Sequence, residues 1–308
     1  MTRDAAHDTA RDADRLALIA VFFGAAFLGT APIFFRLADT GPSAAAFWRV
    51  VLSLPLAWVW MRAEIDAHHG TLKAALVPPG LRARDWGVLL LAGAFWIGDL
   101  VSWHWSLSFT NVANSTFFAT SSPLFVVAVA WVLFRERMTA RFLLGAVVAL
   151  AGAAALMGST VQFGGGTLLG DGLGLVTALF FGSYVLAVRA LRGRIGAGAI
   201  MFWTGAISAP GFLIASLLAG EAFLPQSLGG WAAVVGLATI TQLAGQGLLA
   251  YGLGRVGAGP ASVMVLLEPV VAALLGWAVL AEALGPLQGA GCALILAGIW
   301  VARYRARK

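Results

Sequence analysis

Charge is scarce in this chain. Of 308 residues, only 11% are Asp, Glu, Lys or Arg, where a soluble domain carries about a quarter. A soluble fold of this length cannot cover its surface with so few charges. Lysine is scarcest: Lys73 and Lys308 are the whole complement. That excludes an intramembrane lysine for a retinal Schiff base, and it excludes the GxxxxGK[ST] loop that cradles nucleotide phosphates. There is one cysteine, Cys292. It has no intramolecular disulfide partner, and a lone cysteine among apolar neighbours reads as a small core residue. No Ser-His-Asp or HExxH spacing stands out, so neither an enzyme nor a cofactor is expected. Asp66, His68 and His69 hint weakly at a metal, but they read as a solvated loop, and no metal site is expected.

What the chain has instead is apolar length. Apolar residues make up 60% of it, in runs of roughly 20 residues, enough to cross a bilayer's hydrocarbon core. Ten runs stand out, at 16–38, 43–62, 86–107, 113–134, 139–158, 168–190, 198–219, 231–251, 259–281 and 285–302. In lipid the backbone must satisfy its own hydrogen bonds, so these runs are expected to be helices. Strands are excluded by their length and by the lack of period-two alternation. Residues 1–15 and 304–308 read as short polar tails, the first of them disordered.

The chain also repeats itself. Pro123, Trp131, Glu136, Gly145 and Gly152 recur as Pro269, Trp277, Glu282, Gly291 and Gly298, each pair 146 residues apart. The copies also begin alike, though more loosely. Gly29 and Arg36 precede Gly182 and Arg189 by 153 residues, Phe47-Trp48 precedes Phe202-Trp203 by 155, and Trp86 precedes Trp231 by 145. Residues 16–158 and 168–303 are therefore expected to be two copies of a five-helix unit. Five is odd, so the second copy enters the membrane from the opposite side. The expected fold is an all-α membrane protein of ten transmembrane helices in two inverted five-helix repeats, with a substrate site near the midplane between them.

The net charge of +6 would suggest nucleic acid in a soluble chain. Here its distribution points to the bilayer. With a cytoplasmic amino terminus, 18 of the 20 basic residues fall in inside segments, and the loops at 108–112, 159–167, 220–230 and 282–284 hold none. Only Arg36 and Arg49 fall toward the outer side, in or beside helix ends. This is the positive-inside rule with both termini cytoplasmic. Nucleic acid is not expected as a partner.

Inside the expected helices little is polar. Asp99 and Glu268 are the two acids placed deep in a run, and intramembrane acids are functional hypotheses by default. Glu268 precedes Pro269, and its counterpart Ser122 precedes Pro123. A mid-helix proline frees the carbonyl four residues earlier and bends the helix, so Pro123 and Pro269 are candidate hinges. Glu268 reads equally as a proton or substrate group and as a buried structural hydrogen bond. Trp96, Asp99 and Trp103 share one side of the third run, with His104 one step round. Asn114, Phe118, Ser121 and Ser122 share a side of the fourth run. Thr177, Phe181 and Tyr184 do so on the sixth, and Gln242 and Gln246 on the eighth, with Thr239 nearby. Each stripe alone could be interhelical glue. Together, at similar depth, they suggest a polar and aromatic cavity suited to an amphiphilic solute. The candidate substrate-binding set is Trp96, Asp99, Trp103, Asn114, Phe118, Ser122, Phe181, Tyr184, Gln242, Gln246 and Glu268.

Ten helices in a five-plus-five duplication, with Pro, Glu and two Gly at fixed spacing ending each half, resemble the EamA-type exporters of the drug/metabolite transporter superfamily. The likeness covers nearly the whole chain past residue 15. Within the superfamily the chain resembles the bacterial aromatic amino-acid exporters. The resemblance implies export of small metabolites across the bacterial inner membrane by alternating access. The bilayer, the small-molecule substrate and protons are the expected partners, and a monomer is expected. It identifies Glu136 and Glu282 as hairpin glutamates, which read as structural groups binding the amino terminus of the next helix. A multidrug or organic-cation exporter is the main alternative, with Asp99 or Glu268 as counter-ion beside Trp96 and Trp103. A sugar-phosphate carrier ranks lower, because it needs Lys or Arg at the midplane. A membrane receptor or assembly protein would explain the helices but not the paired kinked halves.

Topology gives the first test. Reporter fusions within 62–85 and after Lys308 should report cytoplasm, and fusions within 159–167 and 220–230 the exterior. An external carboxyl terminus would overturn the arrangement.

Overall fold

The computed structural model describes residues 3–69, 81–110, 112–136, 138–158, 168–281 and 283–303. All regular structure among them is helical. In chain order the helices are α1 (Arg3–Leu28), α2 (Ala31–Leu37), α3 (Pro42–His69), α4 (Ala83–Phe109), α5 (Val112–Ala119), α6 (Ser122–Phe134) and α7 (Ala140–Met157). They continue as α8 (Leu168–Leu191), α9 (Ala197–Leu218), α10 (Leu228–Gly236), a π-helix (Leu237–Gln246), α11 (Gly247–Gly252), α12 (Ala258–Val265), α13 (Leu267–Leu280) and α14 (Pro286–Arg303). Among the described residues nine helical segments are long and apolar enough to cross a membrane, and a shorter apolar helix covers Pro286–Ala302. The expected disordered tail is a correction: α1 already begins at Arg3. Helix needs no apolar face to propagate once a long neighbouring segment has nucleated it.

Four spans are interrupted. The first breaks at Gly29-Thr30, between α1 and α2. The fourth breaks between α5 and α6, directly before Ser122-Pro123, and the ninth at Leu266, directly before Leu267-Glu268-Pro269. Both proline breaks fall where the missing N–H predicts them. In the eighth span, α10 passes into the π-helix and then α11. Such widened turns are rare and cluster at functional sites.

The two parts of the chain pack helix against helix, and glycine sets the closeness. A Cβ added to Gly152 would meet Ile295 N at 2.6 Å and Gly291 O at 2.8 Å, and one added to Gly298 would meet Gly145 O at 2.6 Å. The repeated glycines thus face each other crosswise, 145 against 298 and 152 against 291, along antiparallel α7 and α14. Gly198 lies on Trp60 and Met61 while Gly205 lies on Val50 and Leu54, which makes α3 and α9 antiparallel too. α4 pairs with α8, and α1 with the π-helix and α11.

Helix starts are tied across the same divide. Glu64, on α3, accepts from the backbone N–H of Ala197 at 3.1 Å and Gly198 at 3.0 Å, capping α9. Glu221, just past α9, accepts from Ala44 N–H at 2.9 Å and caps α3 in return. Glu136, just past α6, accepts from Ala258 N–H at 3.1 Å and Gly259 N–H at 3.3 Å. This corrects the expectation that Glu136 would bind the next helix, because it caps α12 instead. Its counterpart Glu282 lies outside the described residues.

The glycine contacts give the second test. Gly152→Ala or Gly291→Ala should destabilise the detergent-solubilised protein by about 1–3 kcal/mol, the cost of overpacking against backbone. Gly289→Ala, whose added Cβ meets nothing within 4 Å, should not lower the melting temperature. Equal melting of all three would refute the close crossing.

Candidate functional site

One cavity of about 360 Å³ brings together Arg49, Asp99 and Glu268. α1 and α2 bring Leu28, Pro32, Phe35 and Arg36 to its wall, α3 brings Arg49, and α4 brings Trp96, Asp99, Leu100 and Trp103. α5, α6 and the turn between them add Thr116, Thr120, Ser122 and Pro123, and α8 adds Thr177 and Phe181. The π-helix contributes Gln246, and α12 and α13 contribute Ser262 and Glu268. The volume sits at the low end of ligand pockets, about 300–1,000 Å³.

Of the sequence-derived candidates, Trp96, Asp99, Trp103, Ser122, Phe181, Gln246 and Glu268 therefore line one space, with Pro123 beside them. Others do not reach it. Tyr184 is buried behind Trp96, ring centroids 5.0 Å apart. Phe118 packs on Gly174 and Phe117. Pro269 stands outside the lining, and Thr239 spends its hydroxyl on Val235 O at 2.8 Å. The side chains of Asn114 and His104 lie outside the described residues.

Gln242 and Gln246, four residues apart on the π-helix, meet different partners. Gln246 lines the cavity, whereas Gln242 is buried beside it and accepts the Nε–H of Arg49 at 2.8 Å. Thr30, at the α1–α2 break, meets Thr241 of the π-helix with hydroxyl oxygens 2.9 Å apart. The two distorted spans thus lean on each other.

Arg49 is the residue that sequence reasoning missed. Its place toward the outer side set it aside. It lies seven residues into α3, about 10 Å along the axis, and only 3% of it is exposed. Its guanidinium carbon stands 5.3 Å from the centroid of the Trp96 ring, within cation–π reach. Its charge interacts with those of Glu268 and Asp99. A signal was available, since an arginine inside an expected span deserves the same default as an acid. One buried cation and two carboxyls thus share a wall with Trp96, Trp103 and Phe181. Such a wall offers a cation, two carboxyls and aromatic rings to one space.

The EamA-like transporter family matches the chain at residues 15–158 and again at residues 168–304. The chain belongs to the EamA-like transporter family. It is thus a multi-pass membrane transporter. An uncharacterized transporter of Archaeoglobus fulgidus is 28% identical to it over 193 residues, 63% of this chain and 67% of that relative. A protein of known crystal structure shares the fold, with a TM-score of 0.76 at 21% identity, over 93% of this chain and 96% of that one.

Proposed function

We propose that this EamA-family transporter exports amino acids or similar small amphiphilic metabolites across the bacterial inner membrane, by alternating access around the cavity. The observation that carries the reading is the lining itself: Arg49, Asp99 and Glu268 meet beside Trp96, Trp103 and Phe181 in a space of about 360 Å³. A free amino acid has a carboxylate, an ammonium and a side chain, and the wall answers each.

Ten spans in two inverted halves are part of the same proposal. The pairing of helices supports it. If the first span corresponds to the sixth and the third to the eighth, then the contact of α1 with the eighth span repeats the contact of α8 with α4. The α7–α14 and α3–α9 pairs each map onto themselves. Exchange of the halves leaves the packing scheme unchanged, as a pseudo-two-fold axis requires. Both termini cytoplasmic and a monomeric protein complete the arrangement.

The competing classes fare worse against Arg49. A permanent organic cation would meet a fixed positive charge in the wall. Sugar phosphates were ranked low because Arg36 and Arg49 lay toward the outer side. That ground is corrected, since both arginines line the cavity. A dianion is instead disfavoured by Asp99 and Glu268 in the same wall.

Counterflow in proteoliposomes tests the reading, with amino acids, organic cations and sugar phosphates offered with and without a pH gradient. Amino acids should exchange and the other two should not. Cation exchange without amino-acid exchange would overturn the assignment. In the same assay Asp99→Asn should weaken substrate affinity tenfold or more, because it removes the partner of the ammonium. Glu268→Gln should abolish the response to the gradient while sparing exchange. Unchanged affinity and flux in Asp99→Asn would remove that residue from the site.

The interrupted fourth and ninth spans serve as hinges in this scheme, since bent helices recur at transporter sites. Pro123→Ala and Pro269→Ala should insert normally and transport several-fold more slowly, as hinge changes do. Wild-type rates in both would exclude a hinge role.

A further inference from the structure

Two polar side chains that line the cavity are left without a hydrogen-bond partner among the described residues. Arg49 gives its Nε–H to Gln242. A guanidinium has five N–H donors, so this bond fixes the plane of the fork and leaves the terminal N–H groups for another acceptor. Trp96 is 3% exposed and lies beneath that guanidinium, and among the described residues its indole Nε1–H has no hydrogen-bond partner. Gln246 is 2% exposed, and its Oε1 likewise has none. All three side chains line the same cavity. A buried polar group left unpaired is costly, and two of them beside one cavity call for a partner that a bound solute can supply.

The geometry points to a carboxylate-binding subsite in which Arg49, held in plane by Gln242 and backed by Trp96, anchors the α-carboxylate of the transported solute. This rests on the amino-acid reading above and sharpens it, because it makes a free carboxylate a requirement for binding.

The chemistry of the unmet atoms selects the ligand. The Arg49 fork and the Trp96 indole are donors, and together they suit a planar anion with two acceptor oxygens. A carboxylate matches a guanidinium two bonds at a time, which a lone ammonium or hydroxyl cannot. Gln246 Oε1 is an acceptor, and with Asp99 and Glu268 it suits the positively charged end of the same molecule. Gln242 is then a positioning residue. It touches the guanidinium, not the solute, and it is buried beside the cavity that Gln246 lines.

Equilibrium binding to the purified protein tests this with three probe sets. L-Phenylalanine, L-leucine and L-threonine are each measured beside their carboxamides and their decarboxylated amines. In the wild-type protein each acid that binds should do so roughly 10- to 100-fold more tightly than its amide or amine, the range for charge-assisted hydrogen bonds. In Arg49→Gln the acid-to-amide ratio should fall to near one. Arg49→Lys should restore a part of it, since charge returns without the fork. Gln242→Leu, which leaves the charge in place, should lower the ratio several-fold while the binding of the amines stays as it was. A general loss of packing would weaken acid and amide alike and leave the ratio intact. Equal wild-type affinity for acids and amides would overturn the subsite while leaving the amino-acid reading in force. A wild-type preference that survives both Arg49→Lys and Gln242→Leu unchanged would also overturn it. Binding of the amines alone, or of none of the probes, would overturn the amino-acid reading and the subsite with it.

Discussion

The start of every helix leaves backbone N–H groups without a partner, and at a membrane surface that debt falls on nearby side chains. Here three helix starts are satisfied by carboxylates from the other half of the chain: α9 by Glu64, α3 by Glu221 and α12 by Glu136. The first two are reciprocal, so neither half can slide along the other without baring N–H groups on both. The anionic cap also complements the positive end of the helix dipole. Glycine makes the contact possible. Gly41, Gly196 and Gly257 each precede a capped start, and a Cβ at any of them would collide with the capping glutamate. At the far end of α6, Arg135 adopts the left-handed conformation at φ 52°, and Ala281 does so after α13 at φ 55°. Each sits directly before a hairpin glutamate, Glu136 or Glu282. A non-glycine residue pays about 1–2 kcal/mol to stand there, and at position 135 the return is a carboxylate turned toward α12.

With the ends tied, freedom is left to the middles. α3, α4, α8 and α9 run unbroken and pack in antiparallel pairs. The breaks fall in the first, fourth and ninth spans, with the π-helix in the eighth, and all four border the cavity. Two of the breaks come from proline. The other two touch each other through Thr30 and Thr241. The geometry separates a frame, closed by glycine contacts and carboxylate caps, from a set of bent elements around the cavity.

Much of this frame was legible in residue spacing. The apolar runs recovered the spans because a bilayer permits little else, and the proline positions located the fourth and ninth breaks to within a residue or two. The glycines at 145, 152, 291 and 298 announced a repeat, although not that they would face one another. What escaped was whatever depends on a partner far along the chain. Glu136 was assigned to the adjacent helix because sequence offers only neighbours, and it caps a helix that starts over 120 residues later. Gln242 and Tyr184 lay on the right stretches and one layer too deep. A periodicity argument cannot see a π-helix, whose extra residue per turn shifts every later bearing. Arg49 escaped for another reason: it was counted toward topology, as one of the two arginines falling toward the outer side, and so was not counted as a buried ion.

The charged groups fall where the two copies differ. At the spacing that aligns Phe47-Trp48 with Phe202-Trp203, the counterpart of Arg49 is Thr204. At the spacing of the prolines, the counterpart of Glu268 is Ser122. At the spacing of Trp86 and Trp231, the counterpart of Asp99 is Ala244. The elements of the frame, in contrast, repeat: the glycines, the prolines, the hairpin glutamates and the left-handed residues before them. A frame built from two equivalent halves gains from equivalence, because one contact solved is solved twice. A binding site gains nothing from it when the solute has a carboxylate at one end and an ammonium at the other. Two equal walls would offer such a molecule the same charge from both sides, and one end would always meet the wrong sign. Placing Arg49 in one copy, Glu268 in the other and Asp99 without a counterpart breaks that equivalence at the cavity alone. The three charged residues of the cavity lack like-charged counterparts at the matching spacings, which is the asymmetry that the proposed site needs to orient an unsymmetrical solute.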